Sequence, residues 1–347
     1  MQAPGNRAAL AVRGKPRVAV IGTGGTFAMQ ARHRFDWIEY GESGVVRSID
    51  ELMDEMGALG NVADTVELVP VPFRALGSTA IAPADWLALA KLIRRTAAAD
   101  PGIAGFVVTH GTATLEETAW CLDLLLHLDV PVVITGAQRP LNTAGSDAPG
   151  NLRAALALAQ SDEARGAGVL VVMNSQVFAA RDVTKAASFE LGAFEAPPFG
   201  PLGRVEPSGR VVMRRGRVGA GPSLPLDMET LGTLPRVDIV LSYAGADAVA
   251  IDAFVAAGSR AIVSAGLVPG RPAAAEQAAL ASAAKSGVVV VQSSRAARSE
   301  VPTQAFLEAA GVLAGGDLAP QKLRVLLMLA LSCTNDRAQI QRWIDEA

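Results

Sequence analysis

The sequence predicts an α/β protein, and three observations carry the prediction. Short runs rich in β-branched residues recur, they lack polar alternation, and alanine- and leucine-rich segments of helical length separate them. The runs are Arg17–Gly22, Gly105–Thr109, Val130–Thr135, Gly168–Met173, Val237–Leu241, Ala261–Val263 and Val288–Gln292. A strand that is apolar on both faces belongs in a parallel sheet covered by helices. The helical segments include Pro83–Ala98, Leu115–Leu128 and Pro149–Ala159. After Gly168–Met173 the alternation lapses, and residues 199–235 are rich in proline and glycine, with an arginine cluster at Arg214, Arg215 and Arg217. A linker is therefore placed at 214–234, between an amino-terminal α/β domain over 1–213 and a smaller carboxy-terminal α/β domain over 235–347. At roughly 150 residues per domain, 347 residues suit two units, each with a core of its own.

Composition narrows the function. Thirty-one basic against 34 acidic residues leave a net charge of -3, without the basic excess of a nucleic-acid binder. Cys121 and Cys333 are far apart and in no metal-type spacing, which excludes a disulfide scaffold. The apolar patch Ala8–Val12 is too short for a signal-peptide core, and Val325–Leu331 is too short for a membrane span, so a cytoplasmic location is expected. Only five of the 31 basic residues are lysines (Lys15, Lys91, Lys185, Lys285, Lys322), and tyrosine occurs only at Tyr40 and Tyr243. A chain that usually takes arginine has a reason where it takes lysine.

In open α/β sheets ligands gather at the carboxyl ends of strands. The first strand ends in Gly22-Thr23-Gly24-Gly25-Thr26, which fails the dinucleotide fingerprint because Phe27 stands where glycine is required. A Walker loop fails as well. What remains is a turn that places the hydroxyls of Thr23 and Thr26 beside backbone N–H groups. A later strand ends in His110-Gly111-Thr112-Ala113-Thr114, and the Thr114/Glu117 spacing predicts a capping box opening the next helix. His110 reads either as a general base or as a loop histidine bonded to its own turn. Asp147, in Ser146-Asp147-Ala148-Pro149, reads as a cap or turn residue. Lys185, in Arg181-Asp182-Val183-Thr184-Lys185, reads either as a solvated surface group or as a base, since a lysine can shed its proton on burial and arginine cannot. Threonine is a weak nucleophile that needs such a neighbour. With three histidines and no HExxH, a zinc site has few ligands to choose from.

Taken together these motifs resemble the bacterial-type L-asparaginase/glutaminase family, amidohydrolases with a threonine nucleophile. The resemblance runs through Thr23–Ala28, His110–Thr112, Glu116–Ala119, Gly136–Pro140, Ser146–Pro149, Arg181–Lys185, Gly200–Gly203 and Pro320–Leu327. It implies a larger amino-terminal, mainly parallel, flavodoxin/Rossmann-like domain and a smaller carboxy-terminal one. It implies Thr26 as nucleophile, Tyr40 in the lid as its activating partner, and Thr112 with Lys185 as second hydroxyl and base. Ser78 would hold the substrate α-carboxylate, the Ala137 carbonyl would contact the leaving amide, and N–H groups around Gly25 and Thr112 would bind the oxyanion. The resemblance further implies a small amide as substrate, no metal or organic cofactor, and a homotetramer built of intimate dimers, each site completed by the neighbouring carboxy-terminal domain.

The chain departs from the family at the substrate head group. Ala113 stands where the family has the aspartate that binds the α-ammonium, Thr79 where glutamine is common, and Gly245 where asparagine is common. A buried ammonium without a carboxylate is costly. The loop Arg32–Trp37 also departs, and Glu300 is placed to replace part of the lost charge in a neighbouring site. Three readings follow: an amidase whose substrate lacks or re-presents the α-amino group, an ordinary asparaginase or glutaminase with compensating residues, and a catalytically weak homologue that binds a small acid or amide as a sensor.

Overall fold

The computed structural model describes residues 14–58, 64–216, 221–298 and 300–347. The amino-terminal stretch read for a signal peptide and Arg217 of the arginine cluster lie outside them. In chain order the amino-terminal elements are β1 (Arg17–Gly22), α1 (Ile49–Ala58), β2 (Glu67–Val71), α2 (Pro83–Ala99), β3 (Ile103–Thr109), α3 (Leu115–Leu125), β4 (Val132–Thr135), α4 (Ala148–Ala159), β5 (Val169–Met173), β6 (Gln176–Ala179), β7 (Thr184–Lys185), β8 (Phe194–Glu195), β9 (Gly203–Val205) and β10 (Val211–Met213). There follow β11 (Val237–Leu241), α5 (Val249–Ala256), β12 (Ala261–Gly266), α6 (Ala274–Lys285), β13 (Val289–Ser294), α7 (Ala305–Ala310), β14 (Val312–Ala314), α8 (Pro320–Cys333) and α9 (Arg337–Glu346).

The eight-stranded sheet has the order β10-β9-β6-β5-β4-β3-β1-β2, and a four-stranded sheet has the order β11-β12-β13-β14. Strands β2, β1, β3, β4 and β5 are mutually parallel, as are all four strands of the smaller sheet. This is the α/β class and the mainly parallel larger domain that the apolar runs predicted. Sequence reasoning missed the antiparallel extension. Strand β6 turns back on β5 through Asn174 and Ser175, both at positive φ (47° and 63°), a two-residue hairpin. Strand β2 was missed too: Pro70 interrupts its pattern, and an edge strand tolerates that proline.

Each sheet has an apolar cluster of its own, around Val107 and Leu152 in the larger domain and around Ile251 and Val290 in the smaller, and a further cluster joins the two. The joining cluster takes in Phe106 and Ile134 of the larger sheet, Trp120 of α3, Leu326 of α8, and Val263 and Val291 of the smaller sheet. Helix α8 makes this continuity possible because Val325–Leu331 is apolar all round and buried throughout. Among the described residues, no helix is long and apolar enough to cross a membrane.

Candidate active site

The strand order reverses direction between β1 and β3, and that switch point opens a crevice at the carboxyl ends of both strands. The two loops that fill it are those singled out by their sequence. Gly24 and Gly25 sit at φ 97° and 70°, and a Cβ on Gly25 would lie 2.2 Å from the Gly111 Cα. Only glycine permits this approach, so the loop after β1 rests directly on the loop after β3. The Thr23 hydroxyl donates to the Thr109 carbonyl (3.1 Å) and is buried, which removes it from the chemistry. Thr26, three residues further on, makes its side-chain hydrogen bond to another side chain and not to the backbone.

The Thr26 Oγ1 and Tyr40 OH lie 2.7 Å apart. Tyr40 opens a short 3-10 turn, Tyr40–Ser43, and residues 31–37 fasten that turn to the molecule. The Asp36 carboxylate accepts from the N–H groups of Arg32 (3.1 Å) and Glu39 (2.9 Å). Asn142 accepts the Ala31 N–H and donates to the Ala31 carbonyl, and the Ala144 N–H donates to the Arg34 carbonyl. The Arg139 guanidinium lies over the Trp37 ring, 4.1 Å from its centroid. The unusual loop is thus held on the segment that follows β4. Removing the stacked cation loosens this loop without touching the hydroxyls. We expect Arg139→Ala to lower kcat/KM about three- to tenfold and to alter Trp37 fluorescence, the scale set by a cation–π contact of ~0.5–2 kcal/mol.

A second pair stands beside the first. Lys185 Nζ donates to Thr112 Oγ1 at 2.8 Å. Lys185 ends β7, whose pairing with β8 (Lys185 opposite Phe194) presents the side chain to the crevice. No carboxylate lies within salt-bridge distance of it among the described residues, and desolvation lowers its pKa. Gly136 closes the site from the β4 side: a Cβ there would sit 3.0 Å from the Thr112 Cγ2. Ala137 beside it is fully buried, and the Asp147 carboxylate takes the next two N–H groups, those of Gln138 and Arg139. Asp147 is therefore a turn-holding residue.

Other expectations change in the folded chain. Thr114 makes no side-chain cap: its hydroxyl donates to the Ser78 carbonyl (2.8 Å), and Ser78 Oγ in turn donates to the Gly111 carbonyl (2.8 Å) and accepts the Thr114 N–H (3.1 Å). Ser78 thus ties its own segment to the Thr112 loop. The Gly25 N–H is spent on the Leu76 carbonyl (2.9 Å), so Gly25 itself offers no oxyanion donor. The N–H groups of Thr26 and Thr112 have no such partner among the described residues. His110 is buried, with Nδ1 2.8 Å from the Gly111 carbonyl and Nε2 2.9 Å from the Thr118 hydroxyl. Burial pushes its pKa down to about 4, and with both nitrogens occupied it is a structural residue. Thr79 and Ala113 are exposed, Gly245 is exposed at φ 84°, and Glu300 is exposed. No group of three metal-ligating side chains occurs among the described residues. Sequence reasoning missed the Thr114–Ser78 bonds and Asn142; both depend on contacts more than 30 residues apart.

Comparisons with known proteins agree with this architecture. The model of the asparaginase amino-terminal domain matches residues 17–218, and that of the glutaminase/asparaginase carboxy-terminal domain matches residues 236–344. The chain is 36% identical over 335 residues to the "Probable L-asparaginase periplasmic" of Haemophilus influenzae, covering 95% of this chain and 93% of that protein. It is 37% identical over 334 residues to "L-asparaginase 2" of Escherichia coli, covering 94% and 92%. The crystal structure of the probable cytoplasmic L-asparaginase from Campylobacter jejuni superposes with a TM-score of 0.89 at 36% identity, over 96% of this chain and 100% of that one. With both family domains present in order and relatives matched along nearly their whole length, the chain belongs to the asparaginase family of amidohydrolases.

Proposed function

We propose that the protein hydrolyses a small carboxamide through an acyl-enzyme on Thr26. The observation that carries the reading is the juxtaposition of two hydroxyl–partner pairs, Thr26 with Tyr40 and Thr112 with Lys185, on loops that touch at Gly25 and Gly111. Thr26 Oγ1 attacks the amide carbon, the C–N bond breaks, and the threonine proton leaves on nitrogen as ammonia. Water then attacks the ester, its hydroxyl joins the acyl carbon, and its second proton returns to Thr26. Tyr40 accepts the Thr26 proton's hydrogen bond during attack. Neutral Lys185, through Thr112, draws a proton in the hydrolytic step. The uncommitted N–H groups of Thr26 and Thr112 are the oxyanion donors, each worth roughly 3 kcal/mol.

Within this chemistry the substrate is an amide that lacks, or presents differently, the α-amino group. The exposed methyl of Ala113, where the family places an aspartate, favours that choice over asparagine. Ammonia release from asparagine, glutamine and succinamate separates the possibilities. We expect succinamate to be the better substrate and Ala113→Asp to raise asparagine turnover relative to succinamate at least about tenfold, the scale of one charged hydrogen bond. Efficient asparagine turnover with no gain from removing the amine would sink the substrate choice. Tight dicarboxylate binding with no turnover of any amide would favour the sensor. We further propose a homotetramer, supported by the exposed apolar side chains Leu241, Tyr243, Val249 and Val268 on the carboxy-terminal domain, and a cytoplasmic setting, supported by two free cysteines.

A further inference from the structure

Lys322 was absent from the sequence-based site, yet it is the most deeply buried lysine of the chain, with 2% of its surface exposed. It lies in the first turn of α8, in the carboxy-terminal domain, and its ammonium points across the domain boundary. Nζ donates to the Glu116 carbonyl at 2.7 Å and to the Ala180 carbonyl at 2.6 Å. Glu116 lies in the first turn of α3, four residues after Thr112, and Ala180 lies five residues before Lys185. We infer that Lys322 is a positioning residue for hydrolysis: from the second domain it holds together the two chain segments that carry Thr112 and Lys185, and so sets their 2.8 Å hydrogen bond.

The chemistry of lysine suits this place. Two carbonyls from different segments converge on one buried nitrogen, and a compact ammonium serves both with two of its three protons. Burial lowers the Lys322 pKa to about 8, against the pull of Glu116, Asp182, Glu117 and Asp123 around it. None of those carboxylates accepts from Lys322. Asp182 pairs with Arg181, Glu117 faces Arg324 at 3.5 Å, Asp123 accepts the Val169 N–H, and Glu116 accepts from Gln321 through Oε1 while its buried Oε2 has no hydrogen-bond partner among the described residues. The ammonium's hydrogen bonds therefore go to backbone, where they fix chain position rather than neutralise a side chain. A second bond across the boundary, Trp120 Nε1 to the Lys322 carbonyl (3.1 Å), anchors the same turn of α8 without involving the ammonium.

The inference rests on the proposed reading of Thr112 and Lys185 as the hydrolytic pair, and the test keeps the two apart. In the full-length chain, Lys322→Met, Lys322→Arg and Trp120→Phe are compared by kcat, KM, the acid limb of the kcat profile and melting temperature. Lysine-selective NMR titration follows Lys185 directly, which five lysines per chain make practical. Both Lys322 variants are expected to lose about 10- to 100-fold in kcat, the scale of a misplacement near 1 Å, with KM within about twofold. The Lys185 titration and the acid limb are expected to move up together, toward those of an exposed lysine. Trp120→Phe is expected to lower the melting temperature and leave both in place. Wild-type kcat and an unmoved limb in folded Lys322 variants would overturn the inference. So would failure of both variants to fold while Trp120→Phe folds, because Lys322 would then serve stability and not site geometry. A displaced Lys185 titration with an unchanged rate would instead sink the role given to Thr112 and Lys185.

Discussion

Thr26→Ala is expected to abolish turnover, with kcat reduced by on the order of 10⁴-fold or more, the scale seen when the nucleophile of an acyl-transfer site is removed. The side chain is buried to 6% exposure and bonded to Tyr40, so the substitution deletes one hydroxyl and one methyl group and leaves Gly24 and Gly25 on their contacts. Substrate binding should therefore survive, and a dicarboxylate product should bind the variant within a fewfold of wild type. Quenched turnover of wild type should trap a mass increment on the peptide that contains Thr26. If the increment appears on a peptide containing Thr112, or if the alanine variant releases ammonia at a wild-type rate, the assignment of the nucleophile is wrong.

Lys185→Met is expected to reduce kcat about 10³-fold, within the range assigned to a positioned general base. The pH dependence follows from the direction of its shift. Desolvation lowers the pKa from the ordinary 10.5, so the neutral amine becomes populated at lower pH than in a solvated lysine. Activity should rise as pH climbs through this lowered value and level off above it. The limb should vanish in Lys185→Met, whose residual rate should be flat over the same window. The sign for stability is set by the same shift. The folded chain releases this proton before the unfolded chain does, so stability gained from the group increases with pH between the folded and unfolded values. A limb that persists in Lys185→Met would assign the titration to another group.

Two of the scarce residues noticed in the composition, Lys185 and Tyr40, sit one bond from a crevice threonine. Lys91 and Lys322 donate to backbone carbonyls, at Leu231 in one case and at Glu116 and Ala180 in the other, while Lys15 and Lys285 are exposed. The arginine-using chain thus places three of its lysines where a single compact donor is required. His110 shows the opposite outcome. Its place at a strand end made it a candidate base, but burial keeps it neutral against the pull of the Gly111 carbonyl, and two hydrogen bonds occupy its ring nitrogens.

The sequence by itself determined the α/β class, most of the parallel strands and the loops that hold the threonines. These follow from period, apolar runs and strand-end glycines, all of which act over a few residues. Only the tertiary structure decided which hydroxyls are free. Thr23, Ser78 and Thr114 look as available as Thr26 and Thr112 in the sequence, yet their hydroxyls are spent on carbonyls 86, 33 and 36 residues away. The same holds for the pairing of Thr112 with Lys185 across 73 residues and for the grip of Lys322 across 206 and 142. A hydrogen-bonding group has no preference for one distant partner until packing brings that partner within about 3 Å and excludes water. The shared core around α8 does this here, so the availability of each hydroxyl is a property of the folded whole.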